Sequence, residues 1–454
     1  MKQSRYLITS HTAGATVDKR LRKALESFAD ILSAEIIVLR NKGPHQNAEF
    51  DLTLEDYFIS RSKQLNSNLT VIADMNAVIA AENPTTQYKA EAGKTHSLII
   101  PSPRRFQQSI PRADGLPRYI TTSLSIDNSD GYPDTKNGRK SKALHQKGVC
   151  LVELKDDSIY FTHQLEAEKD GSIIFNGLQF CPSGFIKKVQ AEAISFGDSH
   201  LDHIDPSAEK AALEICRLMN PRYVTEEDAF NGSSINHHEE NNHLNSMNWM
   251  SLEEEAKFTA KKLAEHVSFL KLNCPSFKKL ILKDSNHHDF LDRYISNFSR
   301  WMGDSKNKSL ALRLAVDADD GRHLLESLLR RYESLRDVTF LAVGERFEVS
   351  GVEMSFHGHN GANGSKGSSK QFQLALTKAN IGHTHVPEIF DSVFNAGTLS
   401  ILRPAYAARG LTSWCHAVVV TYPSGSRQLL KIIDGDYTLE FSRSIKSRIL
   451  RLIR

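Results

Sequence analysis

The sequence predicts a mixed α/β fold of the α+β kind, on three observations. Apolar strand patterns recur from one end of the chain to the other. Helical periodicity fills some of the intervals between them. In the second half, several strand patterns run directly into clusters of Asp, Asn and His, the layout expected of a metalloenzyme. The chain has 454 residues, 40% hydrophobic and 24% charged, enough for two or three domains with a core that needs no disulfide staples. Five scattered cysteines, odd in number and without a CxxC pair, read as reduced thiols of a cytoplasmic protein. The opening MKQSRYLITSHTAG lacks a secretory pattern, and no apolar run approaches the roughly 18–20 residues of a membrane span. The net charge of +3 neither requires nor excludes a nucleic-acid partner, because only local basic patches matter for phosphate contact.

Taken in order, a strand over Tyr6–Thr9 precedes a helix over Thr16–Leu32, with Val17, Leu21, Leu25, Phe28 and Leu32 at helical spacing. Strands follow at Ala34–Arg40, Leu69–Asp74 and Ser97–Pro101. RYITTSLSI, GVCLVEL, SIYFTHQL and GSIIFNGLQF then read as strands joined by turns, with NSDGYPDTKNGRKSK a polar loop among them. A boundary near residue 187 divides a mixed N-terminal region (1–186) from a second region (187–436), with a basic helix (437–454) at the end. The second region opens on the strand AEAISFG, which leads to Asp198, and on a helix over Ser207–Met219 with Pro206 at its start. Long helices are predicted over Leu252–Leu272 and Leu310–Leu335, with strand KKLILKD between them. VEMSFHG, QLALTKANIGHTH, SVFNAGTL, AVVVTYP and LLKIIDGDYTLEF alternate short strands with loops.

Five polar clusters carry the chemistry: GDSH (197–200), EDAFNG (227–232), SNHHD (285–289), FHGH (356–359) and GHTH (382–385). Asp-x-His and His-x-His on extended chain put two ligating groups on one side, since side chains two apart share a face. Mixed Asp, Asn and His donors suit borderline divalent metals such as Mn, Fe, Zn or Ni. A shared carboxylate lets two cations sit about 3.5–4 Å apart, where they can activate water and hold a phosphate together.

This ordered set resembles the calcineurin-like metallophosphoesterase superfamily, which includes SbcD-type nucleases, phosphoprotein phosphatases and cyclic-nucleotide phosphodiesterases. FNAGTLS (394–400) resembles the segment that follows its last motif, and the likeness covers about residues 190–435. It implies a β-sandwich flanked by helices, with an additional mixed α/β N-terminal region. It also implies two divalent ions, Mn²⁺ first, with Zn, Fe, Ni or Mg as alternatives. Asp198 and His200 would bind the first ion with His385. Asp228 would bridge. Asn286, His357 and His383 would bind the second. His287 would protonate the leaving oxygen or stabilise phosphate charge. The layout also resembles phage-encoded metallophosphoesterases of the kind T5-like phages use in host DNA degradation and transfer, which would place the protein in the host cytoplasm.

The chain departs from the superfamily pattern in two places. The usual Gly-Asp is Glu227-Asp228, and the acidic residue that often orients the catalytic histidine is missing or displaced to Asp289. His359 competes with His357 as ligand, with His357 preferred at the strand end. Asp202, His203 and Asp205, beside the first cluster, read as solvated or supporting groups. His237, His238, His288 and His359 are candidate substrate contacts, with an exposed polar loop the alternative for the first two. The Gly361–Ser369 loop with Lys366 could close over phosphate or stay solvated. Two basic stretches bear on substrate: Arg139, Lys140, Lys142 and Lys147, and the tail SRSIKSRILRLIR, which either lies along DNA or a partner or packs on its own domain. The expected function is phosphodiester hydrolysis on DNA, without membrane association and with homo-oligomerisation open. A phosphatase or nucleotide phosphodiesterase, or an inactive scaffold, are the alternatives.

Overall fold

The computed structural model describes residues 4–42, 49–73, 79–94, 96–237, 251–375, 377–404 and 407–453. The architecture is mixed α/β, with four sheets among the described residues. A six-stranded sheet runs in the order Val338–Phe340, Lys279–Leu282, Tyr223–Glu227, Ala193–Asp198, His416–Thr421, Arg427–Ile432. Its first four strands are parallel and its last two antiparallel. Every residue of Ala193–Asp198 is buried, as expected where a parallel strand is covered on both faces.

One face of this sheet packs on helices, including Pro206–Met219 and Leu252–Asn273, around Ile194, Phe196, Val224 and Leu280. Asp205 caps the first of these helices by accepting from the N–H groups of Ser207 and Ala208, and Ser251 caps the second by accepting from that of Glu254. The other face meets a ten-stranded sheet through Ile389, Phe394, Ala396, Ala417, Val419 and Leu429. The result is a sandwich of two sheets with helices outside the smaller one.

The ten-stranded sheet joins the two halves of the chain. Strand Pro387–Phe390 pairs antiparallel with Phe106–Ile110, Phe390 opposite Phe106, and the sheet continues into Arg118–Thr122, Ser97–Ile100, Leu69–Val71 and Lys63–Asn66. Residue 187 is therefore not a division between sheets. The N-terminal region also holds a four-stranded sheet, in which Arg5–Thr12 lies between Glu35–Asn41 and Gly148–Leu154 with Tyr160–Glu166 beyond. Helix Lys19–Leu32 covers it, burying Leu21, Leu25 and Phe28, three of the residues that predict it.

Three expectations need correction. The polar stretch before residue 145 contains a helix, Lys136–Leu144, capped by Thr135 Oγ1 accepting from Gly138 N at 3.1 Å. It buries only Gly138 and Ser141, so it has no apolar stripe to betray it. The long helix over 310–335 is two helices, Lys308–Asp319 and Leu324–Leu329. Gly321 stops the first with a left-handed φ of 71°, and His323 caps the second. QLAL belongs partly to a helix, Ser369–Leu374, whose buried Ser369 and Gln373 lie one turn apart; Gln373 Nε2 donates to Asp391 at 2.6 Å.

The basic C-terminal helix, Arg443–Leu452, packs on the chain itself: Ile445 and Ile449 are buried in the core under helix Lys19–Leu32, and Arg448 donates to the Asp30 carbonyl at 2.6 Å. Arg443, Lys446 and Arg451 face outward. No helix of the described residues is long and apolar enough to cross a membrane. All five cysteines are free and buried.

Candidate metal centre

Parallel strands deliver their C-terminal ends to one edge of a sheet, where loops can converge on a ligand. Asp198 ends one such strand, Glu227 ends the next with Asp228 directly after it, and Asn286 and His287 follow the third. His357, His383 and His385 come from loops of the facing sheet. The main chain ties these segments together. His200 N donates to Asp228 O at 2.9 Å and Gly382 N to His357 O at 2.7 Å. His383 N donates to Asp198 Oδ1 at 3.0 Å. His200, Asp228, His383 and His385 all stand at positive φ, between 40° and 70°. Such backbone is uncommon outside glycine and collects at functional sites.

In one half of the centre, Nε2 of His385 lies 2.8 Å from Asp198 Oδ2 and 3.2 Å from Nε2 of His200. In the other, Nε2 of His357 lies 2.9 Å from Asn286 Oδ1, and Nδ1 of His383 lies 3.0 Å from the same oxygen. Asp228 Oδ2 stands between the halves, 3.4 Å from His357 Nε2 and 3.9 Å from His200 Nε2. Three overlapping sets bring ligand atoms within 4.8 Å of one another: Asp198, His200 and His385; His200, Asp228 and His287; Asp198, Glu227 and His357. All seven residues expected as ligands thus share one centre.

Supporting contacts fix which nitrogens face it. His200 Nδ1 donates to Asn231 Oδ1 at 2.9 Å, leaving Nε2 toward the centre. The Asn231 amide is itself oriented, its Nδ2 donating to Asp202 Oδ2 at 3.2 Å and Ser233 Oγ at 2.7 Å. His287 Nδ1 donates to the Asn231 carbonyl at 2.8 Å, and its ring centroid is 4.7 Å from that of His200. Asp289, considered as its partner, instead lies 3.5 Å from Arg293.

The residues present fit a cation. Asp228 Oδ1 is buried with no hydrogen-bond partner among the described residues. Burial opposes charge on His357, yet Asp228, Asp198 and Glu227 outweigh it and push its pKa up to about 10. The carboxylates therefore call for positive charge between them. Burial, by contrast, drives His200 and His383 down to about 4, keeping these rings neutral and able to ligate. These clusters could hold a metal ion.

The other candidates fall around this centre. His288 is buried, burial pushing its pKa down to about 3, and its Nε2 has no hydrogen-bond partner among the described residues. The His359 ring is 5.4 Å from that of His357 and Nε2 faces Asn360 Nδ2 at 2.8 Å, so it flanks the centre. The His237 ring packs at 5.3 Å on Phe290. His238 lies outside the described residues. His203 is exposed, Asp205 caps a helix and Asp202 braces Asn231. In the glycine-serine loop, the N–H groups of Gly361, Ser365 and Gly367 already donate to the carbonyls of Ser365, Ala362 and His359, and Lys366 is exposed.

Sequence reasoning passed over four residues. Asn231 lies inside a cluster noted for its aspartate, and Lys283 stands near the end of a strand pattern. Glu227 stood out only as a departure. Trp414, whose ring centroid is 4.1 Å from that of His385, had no motif to mark it.

No protein-family profile matches the chain, and no solved structure matches it. Among curated proteins it is similar to Protein A1 of Escherichia phage T5, with 27% identity over 470 residues, covering 95% of this chain and 82% of that protein.

Proposed function

We propose that this chain is a metal-dependent phosphodiester hydrolase acting on DNA, of the calcineurin-like metallophosphoesterase type. The observation that carries the reading is the position of Asp228. Its carboxylate stands between an Asp198–His200–His385 half and an Asn286–His357–His383 half, where a shared ligand belongs. A pair of divalent cations, Mn²⁺ first, would supply Lewis acidity there, making water acidic enough to attack near neutral pH and neutralising phosphoryl charge.

The chain's own residues do the rest. Asp198, His200 and His385 would hold one cation and Asn286, His357 and His383 the other, with Asp228 common to both. His287 has Nδ1 anchored on the Asn231 carbonyl, so Nε2 is the atom left to meet substrate. Protonated there, it can hand a proton to the departing ester oxygen. The reaction needs no enzyme nucleophile. DNA is supported by the resemblance to nucleases, the similarity to a phage protein, and exposed cations such as Arg139 and Lys140 on helix Lys136–Leu144. A phage setting would place the activity in the host cytoplasm.

Purified protein should degrade plasmid or linear DNA with Mn²⁺ and stop when the metal is chelated. Hydrolysis of p-nitrophenyl phosphate esters alone would favour a phosphatase. No turnover of either, with metal bound, would favour a scaffold.

A further inference from the structure

Glu227 occupies the position before the shared aspartate, and it is fully buried. Its Oε2 accepts from His357 Nδ1 at 2.8 Å. Its Oε1 lies 2.5 Å from Lys283 Nζ, in an ion pair with no exposure on either side. The ammonium group also donates to the carbonyls of Asn380 at 3.2 Å and Phe356 at 3.4 Å. Lys283 thus ties the end of strand Lys279–Leu282 to the segments that lead into His357 and His383. The space around the carboxylate is equally constrained. A Cβ on Gly382 would come within 2.4 Å of both Glu227 Oε2 and Asp198 Oδ1. Only a residue without a side chain lets the GHTH loop lie against these two carboxylates.

We propose that Glu227 is the positioning residue for the second half of the centre, acting through His357, with Lys283 as its fixed counter-ion. The inference rests on the metal-dependent reading above. A carboxylate only accepts, so it selects the tautomer of His357 with hydrogen on Nδ1. Nε2 is then the ligating nitrogen, and it is the one facing Asn286 and Asp228. Carboxylate–histidine pairs of this kind orient the ring and raise its basicity. Glu227 does not itself ligate in this arrangement, because Lys283 engages one oxygen and His357 the other. A buried ammonium is also what makes a third buried carboxylate tolerable beside Asp198 and Asp228. The shared aspartate can therefore follow a glutamate here, at the cost of placing a lysine inside the protein.

The test is calorimetric titration of the metal-free full chain with Mn²⁺. Wild type should bind two ions per chain. In Glu227→Gln, the amide turns its oxygen to Lys283 and its NH₂ to His357, which favours the wrong tautomer. The second ion should then bind about 10–100-fold more weakly, with the first unchanged. Glu227→Leu with Lys283→Met removes both buried charges in similar volume and guards against a variant that merely fails to fold. It should keep its Tm and show the same selective loss. A folded variant of either kind that binds the second ion with wild-type affinity would overturn the proposal. Wild type binding no ion would instead defeat the metal-dependent reading itself, and the inference with it.

Discussion

The main-chain oxygen of Asn231 lies 2.8 Å from Nδ1 of His287, and its side-chain oxygen lies 2.9 Å from Nδ1 of His200. One residue thus sets the tautomers of a candidate ligand and of the candidate acid. The two roles are separable, because substitution removes the side chain and leaves the carbonyl. Asn231→Ala should weaken metal binding by about 10–100-fold through His200, and saturating Mn²⁺ should restore most of the rate. Equal metal affinity in variant and wild type would show that His200 needs no such support.

His287 touches the centre without completing either half. Its replacement by Ala should lower kcat by about 10²–10⁴-fold while sparing metal content. Leaving groups tell its two possible roles apart. A proton donor matters little to bis(p-nitrophenyl) phosphate, whose leaving group departs readily as an anion, and much to DNA. Equal losses on both substrates would assign His287 to stabilising phosphate charge. Unchanged turnover on both would remove it from the mechanism.

Gly382 faces the tightest steric demand in the centre, a Cβ there meeting oxygens of Asp198 and Glu227 at 2.4 Å. Carboxylates pressed this closely must move. Gly382→Ala should abolish DNA cleavage and lower stability by about 1–3 kcal/mol, the usual cost of overpacking. Thermal unfolding and a cleavage assay check both halves. A fully active variant would mean that the loop is free to withdraw.

Away from the centre, His266 is buried between Glu226 at 3.3 Å and Glu209 at 2.9 Å. Burial lowers its pKa, but the two carboxylates prevail and raise it to about 9. The folded value lies above the unfolded one of about 6.5. The stabilisation is therefore complete below roughly pH 6.5 and lost as pH rises through about 9. It amounts to on the order of 3 kcal/mol at most. Melting curves between about pH 6 and 10 should show wild type losing more stability than His266→Gln over this window. Parallel curves would contradict it.

Much of the centre was legible in the sequence because its residues sit in short clusters at the ends of apolar strands. Asp198, Asn286 and His385 each stand where a strand pattern gives way to polar residues. What was illegible depends on contacts between distant segments. Glu227 reads as an anomaly until Lys283, 56 residues on, is placed beside it. The pairing of Phe390 with Phe106 leaves no local trace, so the N-terminal region looked separable from the sheet it extends. Helix Lys136–Leu144 buries too little to show a periodicity, and the break at Gly321 falls inside a pattern whose apolar spacing continues on both sides.

The most direct test of the proposed two-ion centre is electron paramagnetic resonance of the full chain saturated with Mn²⁺, with bound metal counted in the same sample. Two ions sharing Asp228, about 3.5–4 Å apart, should give two manganese per chain and the spectrum of a magnetically coupled pair. Saturation at one ion or none, or the six-line signal of isolated Mn²⁺ at full loading, would contradict the account.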